Sequence, residues 1–215
     1  MNEKEIIEKT EAYVKCRLVN IESGHDWFHV QRVLKTAKTI SKDEKADIFV
    51  VEMASLLHDI SDYKFGDAKE DLKNIKSLLE SFGLDKKRIC SITEIVENVS
   101  FKGNGEKETM KTIEGKIVQD ADRLDALGAI GIARCFSFAG HRKNPFYDPN
   151  ISPKKNMTFG DYKKMKSPAV SHFYEKLFLL KDRMNTKTAR KIAEKRHKFM
   201  KIYLDMFFKE FEGKD

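Results

Sequence analysis

Apolar residues recur along this chain at spacings of three and four positions, which is the period of an amphipathic α-helix. A helix that carries Val30, Val33 and Ala37 on one face is predicted to follow the Ser-Gly turn at 23–24. The same periodicity predicts further helices over about 3–19, 45–60, 68–82, 85–99, 109–140, 169–184 and 187–211. Alternating runs typical of strands are nearly absent. We therefore expect an all-α protein.

One segment departs from the helical pattern. All four prolines lie between residues 140 and 168, and a long loop in a compact domain is often functional when it is ordered. A lid, an oligomer contact and a plain surface insertion all remain open for this segment. The chain of 215 residues is long enough for one generous domain, so we expect a single domain over 1–215.

Hydrophobic residues make up 40% of the chain and charged residues 35%, which is typical of a soluble, helix-rich protein. The net charge of +7 favours anionic partners such as nucleotides, phosphates or nucleic acid without choosing among them. The three cysteines are far apart and form no CxxC pair, so we expect neither a thiolate zinc site nor a disulfide framework. The start lacks the apolar region of a signal peptide, and no stretch approaches the roughly 18 apolar residues of a membrane span. We therefore expect a cytoplasmic protein that does not cross a membrane.

Two short stretches, HDWFH at 25–29 and ASLLHDI at 54–60, place histidine and aspartate where the pattern asks for core residues. Taken singly, such a histidine is most often a satisfied core residue, and an aspartate at a helix end is most often a cap. His58 and Asp59, however, follow two leucines at the end of a strongly apolar helix. Burying an unpaired carboxylate there would cost several kcal/mol. A divalent cation removes that penalty, because aspartate and neutral histidine then become its ligands.

Further candidate ligands lie on two other predicted helices. His29 comes one turn after His25, so the two imidazoles share a face if that helix begins early enough. The stretch QDADRLD at 119–125 offers three carboxylates. Asp122 lies beside the apolar stripe of its helix and is the better inward-facing ligand. Asp120 points in nearly the opposite direction, and we expect it to face solvent.

Together these residues resemble the H…HD…D signature of the HD-domain metal-dependent phosphohydrolases, and the chain looks most like bacterial HD-domain proteins of the YpgQ/YedJ type. The signature positions are His29, the doublet His58-Asp59 and Asp122. Longer blocks also look like that group, namely SGHDWFHVQRV, ASLLHDISDYKF, ENVSFKG, QDADRLDALGAIGIAR and HFYEKLFLLKDRMNT. The resemblance covers about residues 20–200. Four ligand positions within five blocks are far more specific than the dipeptide HD alone.

The resemblance implies an all-α HD fold, with a signature core at about 20–130 onto which the C-terminal helices at 169–211 pack. It also implies one divalent metal ion held by His29, His58, Asp59 and Asp122. Two imidazoles and two carboxylates suit Mn²⁺, which is our first choice, with Fe²⁺, Co²⁺, Ni²⁺, Mg²⁺ and Zn²⁺ as alternatives.

Such a metal lowers the pKa of bound water and polarises a phosphoryl oxygen. The proton that the water loses needs an acceptor, and the negative phosphate oxygens need positively charged side chains nearby. By the resemblance, we expect Asp62 to act as general base or to orient the water. Asp67 is either a second acid at the site or a turn residue. Arg123 is either a substrate contact or part of a structural ion pair. The candidate substrate contacts are His25, Lys64, His172 and Lys176.

The function that these expectations favour is hydrolysis of nucleoside triphosphates to monophosphates and pyrophosphate by metal-activated water. A 5'-nucleotidase or a phosphodiesterase is the alternative within the same superfamily. Non-catalytic binding of nucleotide or nucleic acid is a third interpretation. The complete set of predicted metal ligands favours an enzyme over such a binding protein. We expect a small phosphorylated substrate and no specific nucleic acid, because the aromatic residues near the C terminus have helical spacing. A homodimer through the apolar C-terminal helix stays open.

Overall fold

The computed structural model describes residues 1–19, 26–60, 68–99, 110–154 and 167–214, and within these residues it contains no strand. The all-α prediction is confirmed. The α-helices, numbered in chain order, are α1 (Glu3–Arg17), α2 (Trp27–Ser41), α3 (Ile48–Leu57), α4 (Ala68–Ser81), α5 (Lys86–Asn98), α6 (Ile113–Asp125), α7 (Gly128–His141), α8 (Ala169–His172), α9 (Phe178–Leu180) and α10 (Lys187–Phe211). A π-helix (Phe173–Leu177) joins α8 to α9, and a 3-10 turn (Lys181–Arg183) follows α9. None of the helices described carries an apolar stretch long enough to span a bilayer.

The chain divides into two compact units, Met1–Ala121 and Asp122–Asp215. The first unit holds α1 to α5 and most of α6, whereas the second holds the end of α6 together with α7 to α10. The expectation of one domain over 1–215, with the C-terminal helices packed onto the signature core, stays a prediction.

The first unit is organised around α3, which contacts α1, α2 and α5. Every residue of α3 from Phe49 to Leu57 is buried, because the helix is apolar on almost all sides instead of along one stripe. The neighbouring helices are amphipathic, and α2 buries Val30, Val33 and Ala37 while its lysines are exposed. Each fully buried aliphatic side chain of this kind contributes about 1.5–3 kcal/mol. The three residues that follow α3, residues 58–60, are also buried.

Aspartates determine where α2 and α3 begin. Asp26 precedes α2 and accepts a hydrogen bond from the backbone N–H of His29 at 2.8 Å. Asp47 precedes α3 and accepts one from the backbone N–H of Val50 at 3.3 Å. Such a cap typically contributes about 1 kcal/mol because it satisfies an N–H that the helix leaves unpaired. The Asp47 cap explains why α3 begins at Ile48 and not at the predicted start near residue 45.

The helix predicted over 109–140 is in fact two helices, α6 and α7. The second begins at Gly128, whose φ of +75° lies in the left-handed region that favours glycine. Three residues later, Gly131 lies so close to the turn between the helices that a Cβ there would come within 2.3 Å of the backbone of Ala126. The prediction of one helix is wrong because helical periodicity continues across the break, so the hydrophobic pattern does not reveal it.

The second unit is built on α10, which contacts α7 and the 3-10 turn. Arg196 of α10 donates a hydrogen bond to the carbonyl of Leu124 at the end of α6. Arg123 donates one to the carbonyl of Arg183. Arg123 therefore makes a structural contact within this unit, and a substrate contact by the same side chain stays a prediction.

The described part of the proline-containing segment packs on α10. Tyr147 places its ring against Phe207, Phe208 and Phe211, with ring centroids 4.9 to 5.6 Å apart. Such edge-to-face contacts bury apolar area and have a preferred geometry. The remaining residues of the segment, 155–166, lie outside the described residues, so its three interpretations stay open.

We expect Gly131→Ala to lower the free energy of unfolding by about 1–3 kcal/mol, since the added methyl meets backbone atoms that cannot easily move aside. Urea unfolding followed by circular dichroism measures the change. Gly140→Ala in the same helix is the matched control, because nothing lies within 4 Å of a Cβ at that position. The control should be neutral or stabilising by up to about 1 kcal/mol. Equal effects of the two substitutions would contradict the close approach at Gly131.

Candidate metal centre

Two helices of the first unit bring polar side chains to one place. Because α2 begins directly after the Asp26 cap, His29 lies in its first turn, where the residue is 0% exposed. At the end of α3, His58 and Asp59 follow in the next turn and are also buried. Three groups that are ordinarily hydrated are thus enclosed by protein.

The three side chains meet at the atoms that could bind a metal ion. The Nε2 atoms of His29 and His58 are 3.2 Å apart. Asp59 places Oδ2 3.3 Å from Nε2 of His29 and Oδ1 3.5 Å from Nε2 of His58. Donor atoms that surround one cation at about 2.0–2.2 Å, with angles of about 90–110°, are themselves about 3–3.5 Å apart. Each of these three distances is therefore in the range expected between two donor atoms of one metal ion.

A hydrogen bond orients the ring of His58. Its Nδ1 lies 2.8 Å from the backbone carbonyl oxygen of Ser55. Since a carbonyl can only accept, we assign the proton to Nδ1, and the neutral ring then presents a lone pair at Nε2. Histidines that bind metals are commonly oriented by such a bond on the other ring nitrogen. The assigned tautomer is thus the one that a metal ligand requires.

Two imidazoles and one carboxylate form a mixed nitrogen and oxygen donor set. Such a set suits divalent first-row transition metals, and three protein ligands leave positions for other ligands. In the described part of the chain, no other trio of histidine, cysteine or acidic residues comes together in this way. The residues present therefore fit a divalent metal ion.

An ion pair joins the two helices at a distance from the ligands. Lys38 on α2 places Nζ 2.5 Å from Oε1 of Glu52 on α3, and the Glu52 side chain is 10% exposed. Because α2 carries His29 and α3 leads into His58, this pair helps to hold the two histidines at a constant separation. The sequence pattern does not reveal the pair, since Glu52 stands inside an apolar run.

The aspartates of α6 differ from the sequence-based expectation in one respect. Asp120, which we expected to face solvent, is 0% exposed. The expectation is wrong because α6 is enclosed on nearly all sides from Ile117 to Asp125 and has no solvent face there. Asp125 pairs with Arg134, with Oδ2 and Nη1 2.5 Å apart.

Asp122 is half-buried in the last turn of α6, in the second unit, and its role as a ligand stays a prediction.

Four of the predicted site residues lie outside the described residues, namely His25, Asp62, Lys64 and Asp67. Their roles as catalytic or substrate-binding residues stay predictions.

His172 and Lys176 belong to the second unit. His172 ends α8, and Lys176 lies in the π-helix that follows. Burial, followed by the positive charge of Lys176, lowers the pKa of His172 to about 3. The imidazole is therefore neutral at physiological pH. As a substrate contact, His172 would offer a hydrogen bond, while Lys176 would supply the charge.

Two residues that were not predicted from the sequence make hydrogen bonds near the candidate site residues. Glu175, buried within the π-helix, accepts hydrogen bonds from the backbone N–H of Lys154 at 3.1 Å and from the hydroxyl of Ser167 at 2.9 Å. It thereby holds together the two residues that bracket the remainder of the proline-containing segment. Asp26 positions the backbone of His29. The sequence could have predicted this cap, since an aspartate three residues before a buried helix position is typical of an N-cap.

Comparisons with known proteins agree with the geometry. The HD domain family matches residues 27–127, a stretch that contains the three clustered side chains and Asp122. The uncharacterized protein YpgQ of Bacillus subtilis (strain 168) is 41% identical over 218 residues, which cover 100% of this chain and 98% of that protein.

Solved structures are similar over nearly the whole chain. An HD-superfamily hydrolase from Bacillus thuringiensis is 40% identical, with a TM-score of 0.79 over 98% of this chain and 99% of that one. The crystal structure of Bacillus subtilis YpgQ in complex with ADP is 37% identical, with a TM-score of 0.78 over 97% of this chain and 100% of that one.

The lowered pKa of His172 predicts a pH dependence of stability. An unfolded histidine takes up a proton near pH 6.5, whereas the folded one resists until about pH 3. The stability that its neutral state provides is therefore complete above about pH 6.5 and is lost as the pH falls below that value. Between about pH 8 and pH 5, we expect the Tm of the wild type to fall by roughly 3–6 °C more than that of His172→Gln.

Differential scanning fluorimetry in the presence of a chelator measures this difference without a contribution from bound metal. His141→Gln, at an exposed position at the end of α7, is the control and should follow the wild type. A His172→Gln protein that loses as much Tm as the wild type would contradict the lowered pKa of this imidazole.

Proposed function

The chain belongs to the HD-domain family, and from that premise we propose that it is a metal-dependent phosphohydrolase of nucleotides that converts nucleoside triphosphates to monophosphates and pyrophosphate. The observation that carries the proposal is the buried cluster of His29, His58 and Asp59, in which the imidazole Nε2 atoms and the two carboxylate oxygens make contacts of 3.2–3.5 Å. The ADP complex of the relative YpgQ supports a nucleotide substrate. The net charge of +7 also favours an anionic ligand.

We assign the divalent ion to His29, His58 and Asp59, with Asp122 as the fourth ligand on the strength of the sequence signature. Mn²⁺ is the proposed metal, and Mg²⁺, Fe²⁺, Co²⁺, Ni²⁺ and Zn²⁺ are its competitors for such a donor set. When bound, the ion supplies a Lewis acid that lowers the pKa of water and polarises phosphoryl oxygens. The protein contributes three enclosed ligands, and low solvent exposure strengthens electrostatic interactions at the site.

In the proposed reaction, a water oxygen forms a bond to the α-phosphorus while the bond from that phosphorus to the α–β bridging oxygen breaks. Pyrophosphate leaves with the bridging oxygen, and the proton that the water loses needs an acceptor. We assign that proton to Asp62, three residues after Asp59, with Asp67 as a second acid. The proposed contacts for the phosphate groups are His25, Lys64, His172 and Lys176.

The cysteines favour a reducing environment. Cys16, Cys90 and Cys135 are all free thiols. Burial raises the pKa of Cys135 to about 12, so this residue behaves as an inert part of the core. We propose a cytoplasmic location, where free thiols stay reduced.

We expect the metal-free protein to be inactive and to release pyrophosphate from nucleoside triphosphates once Mn²⁺ is added. The measurement supplies ribo- and deoxyribonucleoside triphosphates, monophosphates and a phosphodiester separately, and assays pyrophosphate and orthophosphate independently. Orthophosphate from monophosphates would identify a nucleotidase instead, and diester cleavage would identify a phosphodiesterase. Absence of turnover on every substrate would replace the enzymatic proposal with nucleotide binding alone.

Changing a ligand and changing the proposed base should have different consequences. We expect His58→Ala to weaken Mn²⁺ binding by about 100-fold or more and to abolish activity. Asp62→Asn should bind Mn²⁺ normally but lower kcat by roughly 10²–10³-fold, since only proton transfer is impaired. Titration calorimetry and kcat at saturating Mn²⁺ separate the two effects.

The control for both variants is His141→Ala, an exposed position at the end of α7, which should leave metal binding and rate unchanged. Loss of Mn²⁺ binding in Asp62→Asn would make that residue a ligand and overturn its assignment as the base.

A further inference from the structure

The C-terminal helix α10 has two separate apolar faces. One is buried in the second unit and consists of Ala189, Ala193, Met200 and Leu204. The other consists of Phe199, Ile202 and Met206, which are 48%, 61% and 48% exposed. At about 100° per residue, the two faces are centred about 140° apart around the helix. The exposed residues are therefore not the edge of the buried face.

Three exposed apolar side chains on successive turns of one helix form a continuous stripe. Single exposed apolar residues are ordinary in folded proteins and need no explanation. A stripe aligned along a helix axis is different, because it matches the seam along which two helices pack. We call the line formed by Phe199, Ile202 and Met206 the α10 stripe.

Opposite charges stand at the two ends of the α10 stripe. Lys195 lies one turn before Phe199, and Glu210 lies one turn after Met206, both on the same side of the helix and both exposed. Within the residues that the structure describes, neither charge has an ion-pair partner. Along this line the helix therefore presents Lys195, an apolar centre and Glu210, with the exposed Lys209 beside Glu210.

The spacing of these residues is symmetric. Lys195 and Glu210 are equally distant in sequence from the point between Ile202 and Tyr203, and so are Phe199 and Met206. A surface that binds an identical copy about a two-fold axis must be self-complementary in this way. A partner of another sequence would impose no such symmetry on the stripe.

We propose that the α10 stripe is the contact surface for a second copy of this chain, with the two α10 helices antiparallel about a two-fold axis near Ile202. In that arrangement Lys195 of each copy faces Glu210 of the other, and Phe199 faces Met206. The two Ile202 side chains meet near the axis. A parallel pair is excluded because it would place Lys195 against Lys195 and Glu210 against Glu210.

Sedimentation velocity over concentrations on the order of 1–100 µM tests the association. We expect the mass to approach twice 24.9 kDa as the concentration rises. Ile202→Glu places two carboxylates at the axis and should leave only monomer. Ile48→Glu is the matched control, because Ile48 is a 44% exposed isoleucine on α3, and it should dimerise as the wild type does. A wild type that stays monomeric, or an Ile202→Glu protein that still dimerises, overturns the proposal.

A charge exchange tests the antiparallel register. Lys195→Glu and Glu210→Lys should each raise the Kd by about 10- to 30-fold, because each replaces two attractive pairs with two repulsive ones. An equimolar mixture of the two variants should recover the wild-type Kd, since every pair across the axis is then attractive, and the double variant should do the same. Thermal melts of the single variants check that both are folded. Failure of the mixture and the double variant to recover dimerisation overturns the register.

Discussion

Two imidazoles and a carboxylate face one another in the interior of this protein, and the chemistry proposed for it depends on that contact. The ligand-forming atoms of His29, His58 and Asp59 lie 3.2–3.5 Å apart, and none of these residues is more than 4% exposed. Two imidazoles and a carboxylate that are buried together present several lone pairs at one place, and burying a charged carboxylate is costly unless a positive charge or hydrogen bonds compensate it. A shared cation resolves this at once, which is why the cluster indicates metal chemistry more strongly than any of its members alone.

The apolar packing of α3 is what holds such an arrangement together. This helix is buried on nearly all sides between α1, α2 and α5. Because its C-terminal end is buried as well, His58 and Asp59, which follow it directly, also lie in the interior. The position of His29 depends on local chemistry as well, because the Asp26 side chain determines where α2 begins. The same sequence stretch therefore supplies both a helix start and a ligand. The first turn of α2 and the turn that directly follows α3 position these three side chains, and buried neighbours on both sides suit a site that needs defined geometry.

The sequence predicted most helices correctly, and the physical reason can be stated. Helices such as α5 and α10 bury one face, and burial of one face leaves a 3.6-residue period in the sequence. The break between α6 and α7 does not change the hydrophobic pattern. Gly128 is needed there for its positive φ and Gly131 for a close approach to the backbone of Ala126, and neither role depends on the polarity of the residue. Asp120 was misjudged for a related reason. A helical wheel shows in which direction a side chain points, but it does not show whether another part of the protein packs against that side of the helix.

The sequence by itself determined the helical class, the family resemblance and the candidate ligands, since these depend on residue types and on spacings along one chain. Only the tertiary structure decided that His29 on one helix meets His58 and Asp59 at the end of another, with interatomic distances that suit one cation. It also revealed the ion pair of Lys38 with Glu52 and the burial of Asp120. The physical reason is that distance and burial depend on how separate helices pack, and packing is set by contacts between residues that are remote in sequence.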